Sequence, residues 1–348
     1  MTIERKVGMG IAGQPSGGPT DVAEVFSTYL YKGNGSTQTI TNGIDLAGEG
    51  GIVWNKARSD TGDHQIFYQN GSSIDLMKTN STQEESTNMA VHGNSFNSDG
   101  FTMGSPFAPN TVDMASFTFR KKSGFFDCLT YTGNGVAGRE IAHGLDGPVG
   151  MMIVKDIDTS TSSWATYHKS LGATKYMYLE ATGGANTHIG FWNDTEPTDS
   201  VFTIGSLTAV NNVLGDTYVA YLFADNSSED AEDQMIKCGS YTGTGAALPI
   251  NLGWEAQWVL IKKSSGTGGW YLMDSMRGMP NGGSFNSGHG PTLFADTNAA
   301  ESLAVAVYPN ASGFTINDNG SNINASGQTY IYMAIRAPMM VEPEAATD

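Results

Sequence analysis

Three times in 348 residues the chain writes a tyrosine followed by a glycine-rich run. The segments are YKGNGSTQTITNGI from Tyr31, YTGNGVAGREIAHGL from Tyr131 and YTGTGAALPINLGW from Tyr241. Further landmarks recur in the same order. An apolar strand ends at Lys56, Lys155 or Lys262, which lie 25, 24 and 21 residues beyond the repeat tyrosine. Another strand opens at His64, Trp164 or Trp270, in HQIFYQ, WATYHK and WYLMD. The segments GFTMG, VFTIG and GFTIN place Phe101, Phe202 and Phe314 at 70, 71 and 73 residues. The unit closes on MASFTFR, TYVAYLFA or TYIYMAIR. A period near 100 residues exceeds that of a solenoid and suits a domain with its own core.

Short apolar runs between Gly, Asn, Asp and Ser turns predict an all-β fold. The expected architecture is three tandem homologous β-sandwich or jelly-roll-like domains behind an extended N-terminal arm. The boundaries fall at 1–24 for the arm, 25–124, 125–235 and 236–338 for the repeats, and 339–348 for an acidic tail. The closing strands are apolar at nearly every position, so they are expected at sheet centres, buried on both faces. The glycine-rich segments are expected as entry hairpins, with glycine supplying positive φ.

The residues together resemble a family of uncharacterised tandem β-domains in structural proteins of marine bacteriophages. The resemblance is carried by YKGNGSTQTITNGIDLAGEGGIVWNKARS, KSGFFDCLTYTGNG, SSWATYHKSLGATKY, WNDTEPTDSVFTIG, DTYVAYLFA, KCGSYTGTG and GQTYIYMAIRAPM, which span all three units. It implies a tail-fibre-like virion component, made in the host cytoplasm and carried on the particle. It implies no catalytic residue and no ligand site. Expected partners are other virion proteins (capsid or tail subunits), a host surface glycan and further copies of the chain in a homo-oligomer, for which a trimer is one candidate form. Capsid decoration is the alternative role.

Chemical motifs are sparse. The phosphate-loop pattern G-x-x-x-x-G-K-[ST] is absent, and β-like sequence follows each glycine run. Net charge is −17 with a pI near 4.6, which opposes nucleic-acid binding. No apolar run is long enough for a membrane span, and a leader with a continuous apolar core is not seen at the N-terminus. The stretch Asp156–Ser163 opens like a calcium loop but lacks its glycine, and Tyr167 stands where the bidentate glutamate belongs. Neither the six histidines nor Cys128 and Cys238 have close ligand spacing. The cysteines hold equivalent repeat positions and are expected as free thiols. No cofactor is expected. Asp194 and Glu196 form the carboxylate pair that a third, polysaccharide-degrading reading would use. Trp192, Tyr178 and Tyr68 are the candidates for glycan or partner contact, because sugars stack on exposed rings. Arg5 and Lys6 are the candidates for anchoring the arm to the particle.

Overall fold

The computed structural model describes residues 21–338 except 208–211, 228–229, 231–232, 281–286 and 321. These residues form an all-β structure of antiparallel sheets, as the turn-rich composition predicts. Each unit contributes one large and one small sheet. In the first, the large sheet runs in the order Phe26–Lys32, Asp113–Arg120, Gly51–Ala57, Gln65–Asn70, Ser73–Lys78. The second repeats this order with Phe126–Thr132, Thr217–Ala224, Val149–Asp156, Ala165–His168 and Lys175–Tyr178, then adds Asn186–Thr187 at the edge. The third uses Ile236–Thr242, Thr329–Arg336, Ala256–Lys263, Trp270–Asp274 and Gly290–Phe294, and adds Ser302–Val305. The closing strand of each unit therefore lies between the first and third strands, and it is buried nearly throughout.

Strand alternation divides each large sheet into two apolar faces. In Gly51–Ala57, Val53 packs outward with Phe67, Ile40 and Phe101 under the small sheet, completing a sandwich. Ile52 and Trp54 point the other way, into a core shared by all three units. In the third unit Val259 and Ile261 fill the outer sandwich, while Trp258 and Leu260 join the shared core. An aromatic chain runs through that core. Trp258 of the third unit meets Phe26, Phe117 and Phe119 of the first, with ring centroids 6.2, 6.1 and 6.0 Å apart. Phe119 in turn meets Phe126 and Phe223 of the second unit at 5.6 and 5.4 Å. The largest core thus runs through all three units, so the units, though the first and third also keep sandwich cores of their own, are not self-contained.

The glycine-rich segments are not hairpins. Tyr31, Tyr131 and Tyr241 sit in the first strand of the large sheet, whereas the strand after each turn belongs to the small sheet. Each segment is a corner between layers. Its two glycines serve different ends. A Cβ on Gly33, Gly133 or Gly243 would lie 2.0, 1.9 or 2.3 Å from the carbonyl oxygen of Pro109, Val213 or Ala325. Gly35, Gly135 and Gly245 instead have φ of +73°, +72° and +67°. In the second and third units a buried asparagine pins the corner. Asn212 Oδ1 accepts from the N–H groups of Asn134 and Gly135, and Asn324 Oδ1 accepts from Thr244 N–H. The repeat tyrosine stacks across strands on Tyr218 or Tyr330, and those hydroxyls accept from Val213 and Ala325 N–H.

The fold begins earlier than the expected end of the arm. Val22 and Val25 are buried in the shared core, on a 3-10 turn capped by Asp21.

Because the core is shared, calorimetry is expected to show one cooperative transition for the intact chain, where three independent domains would show several. Trp258→Ala should lower stability by about 3–5 kcal/mol without splitting that transition. At the corner, Gly133→Ala must displace a backbone carbonyl and should cost more than about 2 kcal/mol. Gly135→Ala carries only the left-handed penalty of about 1–2 kcal/mol.

Candidate binding surface

The repeat landmarks other than the corner turn out to build seams between units. Trp164 Nε1 of the second unit donates to Ser81 O of the first, at 2.8 Å. Trp270 Nε1 of the third donates to Tyr178 O of the second, at 3.0 Å. His64 holds the same place in the first unit, beside the Phe294 carbonyl of the third. Thr79 Oγ1 donates to Ala295 O on that seam, and Arg58 forms a two-pronged pair with Glu301 at 3.0 and 2.7 Å. Each unit therefore reaches one neighbour in the same sense, and the three close into a ring.

The three repeat lysines face inward at the seams, because each shares the face of the central-core residue two positions before it. All are fully buried. Lys56 Nζ donates to Ala57 O at 2.7 Å, and Lys155 Nζ to Asp156 O and Thr159 O at 2.5 and 3.4 Å. Lys262 Nζ bridges to Ala181 O of the second unit at 3.1 Å and to Gly268 O of its own. Burial lowers each of the three from 10.5 to about 8, with only partial compensation from carboxylates such as Asp63, Asp156 and Asp296. Carbonyls satisfy the N–H groups without neutralising the charge.

Two of the expected contact residues are core. Tyr68 is fully buried in the central core, 6.0 Å from the Tyr221 ring, and its hydroxyl bonds Glu85. Burial raises Glu85 to about 7. Trp192 is 1% exposed, and its Nε1 donates to Lys175 O at 3.1 Å. Its polar surroundings in the sequence belong to a loop that folds the indole inward. Tyr178 alone of the three remains half-exposed. Arg5 and Lys6 lie outside the described residues, as does the acidic tail.

The carboxylate pair is a loop device. Asn193 and Asp194 both take left-handed φ, +54° and +50°. Glu196 Oε2 accepts from Tyr167 O–H at 2.6 Å, and Oε1 accepts from Ala173 N–H at 2.7 Å. Both oxygens are thus committed to latching the loop. The calcium-like stretch is similar. Asp156 Oδ1 accepts from Asp158 and Thr159 N–H, and Oδ2 accepts from Ser162 O–H. Among the described residues no group of three His, Cys, Asp or Glu side chains is arranged to hold a metal ion. Both cysteines are free thiols, as expected. Burial pushes the Cys128 thiol up to about 12, which suppresses its reactivity. Among the described residues no helix is long and apolar enough to cross a membrane.

One edge of the second unit brings aromatic and polar side chains together at the surface. Tyr176 and Tyr178 are half-buried on the strand Lys175–Tyr178 and pack at the rim of the core, and Asn186, Thr187 and His188 of the next segment are exposed. Tyr176 stacks on buried Phe191 with centroids 3.6 Å apart and planes 13° from parallel. Tyr178 meets Tyr176 edge-on at 5.2 Å. The sequence contains Tyr176 as plainly as Tyr178, two residues apart on one strand face. What it hid was Phe191, whose inward turn supports the pair.

The buried lysines give a pH test. Between about pH 8 and 10.5 the unfolded chain binds more protons than the folded one, so these groups make stability rise with pH through that window. Below pH 8 the cost of burying the charge is carried in full. Relative to Lys56→Met, the wild-type chain should gain about 1–3 kcal/mol between about pH 7.5 and 10, read by denaturant unfolding at each pH.

No curated protein and no solved structure matches the chain. A family model, described as a domain of unknown function (DUF7483), matches residues 21–119 and 108–338. Together the matches take in all three units of the ring, and the chain belongs to the DUF7483 family.

Proposed function

We propose that this chain is a non-enzymatic structural protein of a bacteriophage particle, of the tail-fibre or receptor-binding type. Its N-terminal segment fixes it to capsid or tail subunits, and its β units face the host surface. The observation that supports this most is the closed ring. Three homologous sandwiches fused back to back give a stiff platform whose shared positions are spent on the core. The edges differ from unit to unit, which is where a binding protein needs variation. The phage-like segments of the sequence, among them GQTYIYMAIR and DTYVAYLFA, are the strands of that ring.

The ring also supplies within one chain the seams that a trimer supplies between chains. The proposal therefore places one chain at each attachment point, rather than the three copies expected of a simple fibre. Decoration of the head is the second reading. It is favoured by the compactness of the ring and by the longest helix among the described residues having only four residues, Leu46–Glu49, so that no stem is built there.

Labelling the protein on intact particles separates the two roles. Label at the tail tip or fibres is the expected result, and label over the shell supports decoration. Label absent from particles overturns the virion reading altogether. Deleting residues 1–20 should abolish incorporation while leaving the unfolding transition of the purified chain unchanged. Normal incorporation would remove the anchoring role of Arg5 and Lys6.

A further inference from the structure

We propose that the tyrosine shelf of the second unit is a carbohydrate site that takes a neutral pyranose ring. The inference rests on the receptor-binding reading and names the ligand class and the residues.

The shelf exists because the second unit departs from the repeat. The small sheets of the first and third units have a third strand, Ser95–Asn97 or Val307–Asn310. The second has only Arg139–Ala142 paired with Val201–Ile204. The chain between the edge strand and Val201 carries the FWNDTEP loop instead. Trp192 and Phe191 turn into the sandwich, and Glu196 latches the loop to Tyr167 and Ala173. Phe191 then covers one face of Tyr176, so the exposed part of that ring is its other face. With Tyr178 standing edge-on beside it, the two phenols form a corner with a flat floor and a wall.

A hydrogen-bonding side chain stands at this corner. Asn186 lies directly across the strand pair from Tyr176, and therefore on the same sheet face. Its Nδ2 donates to Gly184 O at 3.1 Å, which leaves Oδ1 to accept. His188, also exposed, lies against Phe191 instead, with ring centroids 5.9 Å apart, and its Nδ1 accepts from Gly190 N–H at 2.9 Å. A flat apolar floor with an amide oxygen free to accept at its rim suits a pyranose, whose C–H face stacks and whose hydroxyls need polar partners.

Other occupants fit less well. The edge strand Asn186–Thr187 is two residues long, too short to template an added peptide strand. The chain carries a net charge of −17, which opposes uronic-acid polymers, although Lys175 on the same strand is exposed. The units on either side carry neither tyrosine at the equivalent strand, so the site occurs once per chain.

The test titrates the purified full chain with oligosaccharides of glucose, galactose and mannose, and in parallel with hexuronic-acid oligomers, reading heat or tyrosine resonances. At least one neutral oligosaccharide should bind. Tyr176→Ala should weaken that binding by about tenfold or more. Asn186→Ala, at an exposed position, should weaken it several-fold with the unfolding midpoint unchanged. The proposal is overturned if none of the neutral sugars binds, if only the acidic oligomers bind, or if both variants bind like the wild type. These outcomes are read without particles. A silent shelf on a chain found in virions sinks this inference alone, and a sugar-binding chain absent from virions sinks only the virion reading.

Discussion

Everything else in this molecule depends on the back faces of three large sheets packing against one another. A single β-sandwich of about 100 residues buries one face of its large sheet and leaves the other to water. Here the second face is as apolar as the first, with Trp54, Ile153 and Leu260 at matching places in the repeat. Such a face must be covered, and the only matching surfaces available are those of the sister units. The seams follow from that. Ring nitrogens of Trp164 and Trp270 reach carbonyls at the end of a neighbouring sheet, because donors brought into a core need partners. The lysines follow the same rule at higher cost, since a carbonyl satisfies an ammonium group without neutralising it.

The repeat was legible because its landmarks do structural work that tolerates little change. The glycine pair at each corner, the doubly buried closing strand and the inward lysine kept their residue types in all or nearly all copies. Their spatial meaning was harder to read. Two consecutive β segments joined by TGNG look like a hairpin in sequence, and only pairing partners reveal that the turn passes between layers. Likewise, an apolar strand shows that both faces are buried but not by what. The expectation of self-contained domains arose because a second apolar face can be covered within a unit or between units with the same sequence pattern.

The contact surface was only partly legible, for a related reason. Trp192 and Tyr68 stand among polar residues in the chain, yet each side chain turns inward. Local polarity reports on the backbone's exposure more than on the ring's. Trp192 is carried inward by a loop whose surface residues are polar, and Tyr68 alternates with exposed Gln69 on a strand that crosses a seam. Glu196 is the converse case, an exposed acid whose oxygens are both engaged. Tyr178 remained at the surface because the strand it closes lies near a sheet edge. Its partner Tyr176 owes its orientation to Phe191, a contact 15 residues away that no local pattern announces.

The missing strand of the second unit has a consequence for how such a protein can change over time. In a trimer of identical chains every substitution appears three times, so a change that opens a pocket also removes three strands' worth of cover at once. Fusion lifts that constraint. Two units can keep the full small sheet and hold the ring together while the third gives up a strand and refashions its edge. The chain keeps the stiffness of a symmetric assembly and gains the freedom to be asymmetric. The proposed sugar site would meet its ligand once per molecule, so strong attachment would have to come from many molecules side by side.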